Sequence, residues 1–212
     1  MIRMDSQLKH TRIYSRSGDL GETSLYKGPR VGKDHLRIAV VGTLDELNAW
    51  LGWTLAEEPS AEIGETLAKL QKKLFVVGCE VSALDPAKNS LRTVCESDVK
   101  VLERAIDYWS ARVSQVNEFV LPGGSRATSA LHVARSICRR AERCAVALLR
   151  MDPKFSPRVI AWINRLGDLL FLLARYERFL THDRETFIKM RDAVREFGDD
   201  LIAPDDCDDM NN

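Results

Sequence analysis

Between Ser60 and Asp85-Pro86 the apolar residues Ile63, Leu67, Leu70, Leu74, Val77 and Val81 are separated by alternating steps of four and three. An α-helix turns once in about 3.6 residues and a strand alternates every two, so this spacing lines one face of a long helix and no strand. A stripe that continuous has to be buried against other helices. The rest of the chain offers such partners. Thr43 and Glu46 read as a capping box opening a helix with Leu44, Leu47, Leu51 and Leu55, which stops at Pro59. A third helix is predicted from about Ser97, carrying Val99, Leu102, Ile106, Trp109 and Val113. A fourth runs from about Ala127 to Arg150 with Leu131, Ala134, Cys138, Ala141, Ala145 and Leu148 on one side, and a fifth opens at Pro157 with Ile160, Ile163, Leu166, Leu170 and Ala174. No convincing series of strands accompanies them, so the expected fold is all-α, a helical bundle.

The predicted division is an N-terminal arm over 1–42, a bundle core over 43–180, an appended helix over 181–197 (Phe187, Met190, Val194, Phe197) and a solvated tail over 198–212, which holds six Asp and no basic residue. Within the core, residues 115–125 are a connector that begins at Phe119-Val120-Leu121 and is broken by Pro122-Gly123-Gly124.

Charge and composition narrow the function. Lys and Arg total 31 and so do Asp and Glu, which argues against a generic binder of nucleic acid. No apolar run reaches the roughly 20 residues that cross a bilayer, and MIRMDSQLKH lacks the apolar stretch of a signal peptide. The expected location is the cytoplasm. Five cysteines, an odd number with no C-x-x-C pair, read as unpaired thiols, and the four histidines lack ligand spacing, so no protein-held transition metal is expected.

Three polar constellations stand out. On the fourth helix, about 100° per residue places Arg135, Arg139, Glu142 and Arg143 in one stripe beside the apolar face. Such a stripe is either a solvated, salt-bridged surface or a donor array for carboxylate or phosphate. On the fifth helix Asn164, Asp168 and Arg175 form a second narrow stripe, which reads either as groups satisfying one another or as a site for a base or ribose. The arm carries Tyr14-Ser-Arg-Ser-Gly-Asp-Leu-Gly-Glu-Thr-Ser24, followed by Lys27, Arg30 and Lys33. Its glycines, hydroxyls and cations suit a phosphate chain, although it has neither a Walker loop nor a dinucleotide fingerprint. Asp19 in this loop is of the type that takes Mg²⁺ through water. Asp45, read as lying in a first helical turn, is explained by the helix dipole alone, and Trp50 and Trp53 read as core or interface residues.

Taken in order, Ile13-Tyr-Ser-Arg-Ser-Gly-Asp-Leu-Gly-Glu-Thr-Ser-Leu25, Lys33-Asp34, Val41-Gly-Thr-Leu-Asp-Glu-Leu-Asn48, Phe119-Val-Leu-Pro-Gly-Gly124, Arg139-Arg-Ala-Glu-Arg143 and Asn164-Arg-Leu-Gly-Asp168 resemble the PduO-type ATP:cob(I)alamin adenosyltransferases. The resemblance spans roughly residues 11–178 and implies a five-helix bundle of the ferritin-like up-and-down type that assembles as a homotrimer. ATP would lie between subunits. Ser15, Arg16, Ser17, Gly18, Thr23, Ser24 and Lys33 would line its triphosphate, with Arg139, Arg140, Glu142, Arg143 and Asn164 forming the other walls. Asp45 and Arg135 are similar to the family's paired charges across the subunit boundary near cobalamin, and Phe119 to the residue beneath the corrin. The family usually has Thr at the positions of Ser15 and Ser17 and Ser at those of Gly32 and Gly167; in this chain Gly32 precedes Lys33-Asp34-His35.

The implied reaction moves the 5′-deoxyadenosyl group of ATP to cob(I)alamin, giving adenosylcobalamin and triphosphate, with Mg²⁺ accompanying ATP. Because the cobalt is itself the nucleophile, no general base is needed, in keeping with a sequence that has no catalytic His, Cys or Ser constellation. An adenosylcobalamin-dependent mutase and a cob(II)alamin-reducing flavoprotein are the partners such an activity implies. The rival readings are a non-catalytic escort or sensor that binds ATP or adenosylcobalamin, and a helical scaffold whose arginines form interchain salt bridges.

Overall fold

The computed structural model describes residues 13–182 and 185–189. It contains, in order, strands β1 (Glu22–Ser24) and β2 (Arg30–Gly32), helices α1 (Leu36–Ala56), α2 (Ala61–Ser82) and α3 (Glu96–Ser110), strand β3 (Phe119–Val120), helices α4 (Arg126–Met151) and α5 (Pro157–Leu180), and strand β4 (Phe187–Ile188). The fold is mostly helical, as the apolar periodicity predicts. No helix among the described residues is long and apolar enough to cross a membrane.

The predicted stripes become the core. Leu44, Leu47 and Leu51 of α1 meet Ile63, Leu67 and Leu74 of α2, Leu131 and Ala134 of α4, and Ile163, Leu166 and Leu170 of α5, all almost fully buried. Each such Leu or Ile contributes roughly 1.5–3 kcal/mol by leaving water. The small residues Ala134, Cys138, Ala141 and Ala145 on α4, all buried, let α4 lie close to its neighbours. α1 packs against α2 and α4, α4 against α5, and α2 lightly against α5 to close a four-helix square; α3 lies outside it against α5. The α1–α2 groove and the α4–α5 groove therefore occupy opposite sides of the square.

Three expectations change. The first helix begins at Leu36, about two turns before Thr43, and its cap is His35, whose Nδ1 accepts from the Arg37 backbone N–H at 3.1 Å. Thr43 instead donates its hydroxyl to the Ala39 carbonyl at 2.7 Å inside the helix, so the predicted capping box does not form. Buried Arg37 explains the earlier start: its Nη1 donates to the Val81 and Ala83 carbonyls at 2.8 and 2.9 Å, and its Nη2 donates to Asp152 at 2.5 Å. One guanidinium thus ties the start of α1 to the end of α2 and to the α4–α5 turn. As a result Asp45 lies in the middle of α1 and owes nothing to a helix N-terminus.

Second, the arm, where the sequence shows no strand periodicity, carries two strands. β1 and β2 pair as an antiparallel hairpin with Thr23 opposite Val31. The hairpin is held to the bundle by buried Leu25 and by the Tyr26 N–H, which donates to the Ser82 carbonyl at 3.0 Å. Third, the predicted appended helix does not begin at Phe187. Residues 187–188 form β4, antiparallel to β3, with Phe119 opposite Ile188 and Val120 opposite Phe187. The remaining positions of that predicted helix, Met190, Val194 and Phe197, and the acidic tail lie outside the described residues.

Candidate functional site

The phosphate-type loop folds back on itself before the hairpin. Ser15 and Ser17 share a hydroxyl–hydroxyl bond of 2.7 Å, Arg16 takes a left-handed backbone (φ 61°), and the Lys33 N–H donates to the Gly21 carbonyl at 2.8 Å. A side chain at Gly18 would stand 3.2 Å from the Glu22 carbonyl and 3.3 Å from the Lys33 ammonium, so the bare glycine leaves room for that cation against the loop. Arg30 braces the turn, donating from Nη2 to the Ser17 carbonyl at 2.5 Å and from Nε to Glu22 at 3.1 Å. Hydroxyls, a lysine and a glycine-tightened turn are thereby gathered at one exposed point, a donor set suited to a polyphosphate.

Thr23 and Ser24 turn from this loop into a cleft of about 440 Å³ between α1 and α2, whose walls include Gly42, Asp45, Phe75 and Gly78. Phe75 is 72% exposed, an unusually bare aromatic. Asp45 is exposed there, and no ion pair joins it to Arg135 within the chain.

The arginine stripe of α4 divides between two grooves. Arg139 faces α5: its Cγ lies 4.0 Å from where a Gly167 side chain would begin. Arg135, half-buried, stacks over the Phe171 ring at 5.1 Å, and burial together with Arg139 pushes its guanidinium below the usual arginine range. Glu142 accepts from Asn164 Nδ2 at 2.9 Å, and Asn164 Oδ1 accepts from Arg165 at 2.8 Å. Arg140 pairs instead with Glu46 of α1. With Arg143, Trp50, His132 and Pro122 it lines a second hollow of about 640 Å³ on the α1–α4 side. Burial, followed by the Arg135 and Arg178 charges, holds His132 below its ordinary value, so the imidazole is neutral at physiological pH. Phe119, on β3 just before the Pro122-Gly123 segment, is 60% exposed.

Sequence reasoning grouped Asn164, Asp168 and Arg175 in one stripe, and the structure separates their tasks. Asp168 is exposed near Arg135, Asn164 is engaged by Glu142 and Arg165, and Arg175 is buried in contacts of its own. Phe171 was missed, although its spacing of three from Asp168 and seven from Asn164 already places it on that face. Buried Cys138 donates to the Ile163 carbonyl at 3.3 Å, and its thiol is pushed up to about 12 chiefly by burial, which marks it as structural.

Of the two glycine departures only Gly32 has a local account, and nothing in the structure explains Gly167. A side chain at Gly167 would meet only ordinary contacts at 3.9 and 4.0 Å, whereas one at Gly32 would run into the Asp34 carboxylate, which occupies that space. Among the described residues no group of three His, Cys, Asp or Glu side chains could hold a metal ion. Asp19 is exposed on the loop turn and is a hard oxygen donor beside the polyphosphate-type site, so it fits Mg²⁺ held largely by phosphate oxygens.

Fold and faces together define an all-α bundle protein with a hydroxyl- and lysine-bearing loop at one end of the chain and arginines along α4. Residues 13–177 match the family model for cobalamin adenosyltransferase, and the chain belongs to that family. A corrinoid adenosyltransferase of Citrobacter freundii is 40% identical over 167 residues, covering 78% of this chain and 94% of the relative. One from Bacillus subtilis is 39% identical over 168 residues, covering 77% and 85%. A solved variant of the PduO-type ATP:corrinoid adenosyltransferase from Lactobacillus reuteri, complexed with cobalamin and ATP, has a TM-score of 0.78 and 35% identity, covering 84% of this chain and 99% of that one.

Proposed function

We propose that this protein transfers the 5′-deoxyadenosyl group of ATP to cob(I)alamin, forming adenosylcobalamin and releasing triphosphate, and that it does so as a homotrimer of ferritin-like up-and-down bundles. The observation that carries this reading is that the family's motif residues fall on opposite sides of one bundle, with Thr23, Ser24 and Asp45 at the α1–α2 groove and Arg135 and Arg139 at the α4–α5 groove. Two half-sites that cannot meet within a chain can meet between chains.

In that arrangement the arm of one subunit (Ser15, Arg16, Ser17, Gly18, Thr23, Ser24 and Lys33) holds the triphosphate. Arg139, Arg140, Glu142, Arg143 and Asn164 of its neighbour complete the nucleotide site. Asp45 pairs with the neighbour's Arg135 beside the corrin, and Phe119 covers its lower face. The cobalt(I) electron pair attacks C5′, the C5′–O bond breaks, and its electrons leave with triphosphate. Lys33 and Arg139 oppose the charge that grows there, a preorganised effect worth on the order of 10²–10³ in rate per donor. Mg²⁺ accompanying ATP, with Asp19 reaching it through water, would supply further neutralisation. An apolar ring at Phe119 cannot ligate cobalt and excludes water, which favours reduction of cob(II)alamin by a flavoprotein. The product would serve an adenosylcobalamin-dependent mutase, and the reading places the enzyme in the cytoplasm.

Anaerobic incubation with cob(I)alamin, ATP and Mg²⁺ tests the reading by the appearance of a light-sensitive alkylcobalamin spectrum with one triphosphate released per corrinoid. ATP binding without product would replace the enzyme by an escort, and absence of ATP binding would leave a scaffold.

A further inference from the structure

Arg175 is 5% exposed, and its donors are directed at two segments outside the helices. Its Nε donates to Glu185 Oε1 at 2.7 Å and its Nη2 to Glu185 Oε2 at 2.9 Å, a two-pronged ion pair. Its Nη1 donates to the Ser114 carbonyl at 2.9 Å, and Nη2 also reaches the Ser114 hydroxyl at 3.3 Å. Ser114 lies five residues before Phe119, in the chain leaving α3, and Glu185 lies two residues before β4. Both segments then converge on the same spot. β4 pairs with β3, the Leu121 N–H donates to the Thr186 carbonyl at 2.9 Å, and Lys189 approaches Glu118 at 3.8 Å.

The pairing register decides which side chain supports which. Directly opposed residues of an antiparallel pair project to the same side, with Cβ atoms about 4.5–5.5 Å apart. Phe119 is opposite Ile188, so Ile188 shares the face of the exposed ring, while Phe187 shares the other face with Val120. At its outer end Arg175 stacks on the Phe171 ring at 5.8 Å, the same ring that Arg135 covers at 5.1 Å. A two-strand ladder this short is marginal in water by itself. What holds it is the buried ion pair, whose removal on one side leaves the other charge uncompensated.

We propose that Arg175 and Glu185 are positioning residues for Phe119, and that the segment 185–189, with Ile188 behind the ring, is part of the corrinoid site. This segment lies beyond the residues 13–177 that match the family model. The inference rests on the proposed adenosyltransferase reading. Neither residue contacts the reacting atoms; the strap fixes the backbone of the Phe119 loop, and so the height and tilt at which the ring meets a corrin.

The test is Glu185→Gln in the full chain, with Ile188→Ala as a second variant that leaves the ion pair intact. Two measurements are made on each, amide hydrogen exchange at Val120 and Leu121 without ligand, and the spectrum of cob(II)alamin bound with ATP. Glu185→Gln is expected to speed exchange at Leu121 about 10- to 100-fold, as loss of a charge-assisted pair does for a locally opening segment. It should also raise the fraction of bound cob(II)alamin that keeps an axial ligand, and raise KM for cobalamin while leaving KM for ATP within about twofold. Ile188→Ala should give the spectral change with a smaller change in exchange. Unchanged exchange in Glu185→Gln would overturn the strap. Faster exchange with an unchanged four-coordinate spectrum in both variants would overturn the positioning role. Failure of the unmodified protein to bind corrinoid at all would overturn the adenosyltransferase reading and this inference with it, which separates that failure from the two confined to the variants.

Discussion

Two inactive variants mixed in one oligomer should restore activity if each site is shared between subunits. Lys33→Ala disables the loop face, where the ammonium lies against Gly18, and Arg139→Ala disables the α4–α5 face. Neither change touches the core, since both residues are exposed, and Ala is the best helix former for position 139. Losing one preorganised donor to a developing anion lowers turnover about 10²–10³-fold, so each parent should retain ~1% or less. In randomly mixed trimers a given site draws its loop from one subunit and its arginine face from the next, and both are intact in about one site in four. Purification on both tags removes the unmixed trimers and leaves about one intact site in three, so the doubly tagged oligomers should recover roughly a third of unmodified turnover, well above either parent. Co-expression of the variants with different affinity tags, sequential purification on both, and the anaerobic cob(I)alamin assay would measure it. Doubly tagged oligomers no more active than their parents would refute the shared site, because a site built within one chain is already broken in every subunit.

Other outcomes follow from the same geometry. Asp45→Arg and Arg135→Asp should each impair cobalamin use more than ATP binding, since stranding one member of a desolvated pair costs ~3–5 kcal/mol; the double variant should recover part of the loss, and its failure to do so would dissociate the two residues. Phe119→Ala should keep ATP binding and helical content while bound cob(II)alamin shows more axial ligation and turnover from cob(II)alamin falls; an unchanged four-coordinate signal would remove Phe119 from that role. His132 gives a pH signature. Its folded value lies below the ordinary 6.5, so the unfolded chain binds a proton that the folded one refuses. Stability is complete above about 6.5 and declines as pH falls through and below it, by up to about 1.4 kcal/mol per unit, and denaturation of His132→Gln between about pH 5 and 8 should show a flatter profile.

Much of this protein is legible from its sequence because helical periodicity is a local property. The stripe from Ile63 to Val81, the helix start near Ser60 and Pro157 at the opening of α5 each stand where the residues predict a helix or its end. The six family motifs likewise point to the chemistry, since the residue types that hold phosphate are few. What stayed hidden depends on partners distant in sequence. The start of α1 rests on Arg37, a charge in an apolar pattern that makes sense only beside the Val81 and Ala83 carbonyls and Asp152. The stripe of arginines on α4 looks single on a helical wheel, yet neighbouring helices divide it, giving Arg143 to the hollow beside α1 and Arg135 to Phe171. Phe187 carries a helical spacing in sequence and a strand in space, because its backbone pairs with Val120 and Glu185 is held by Arg175. Local spacing can say which side of a helix is apolar, but only packing chooses what stands opposite each polar group. That choice puts Asp45 and Arg135 on opposite sides of one subunit.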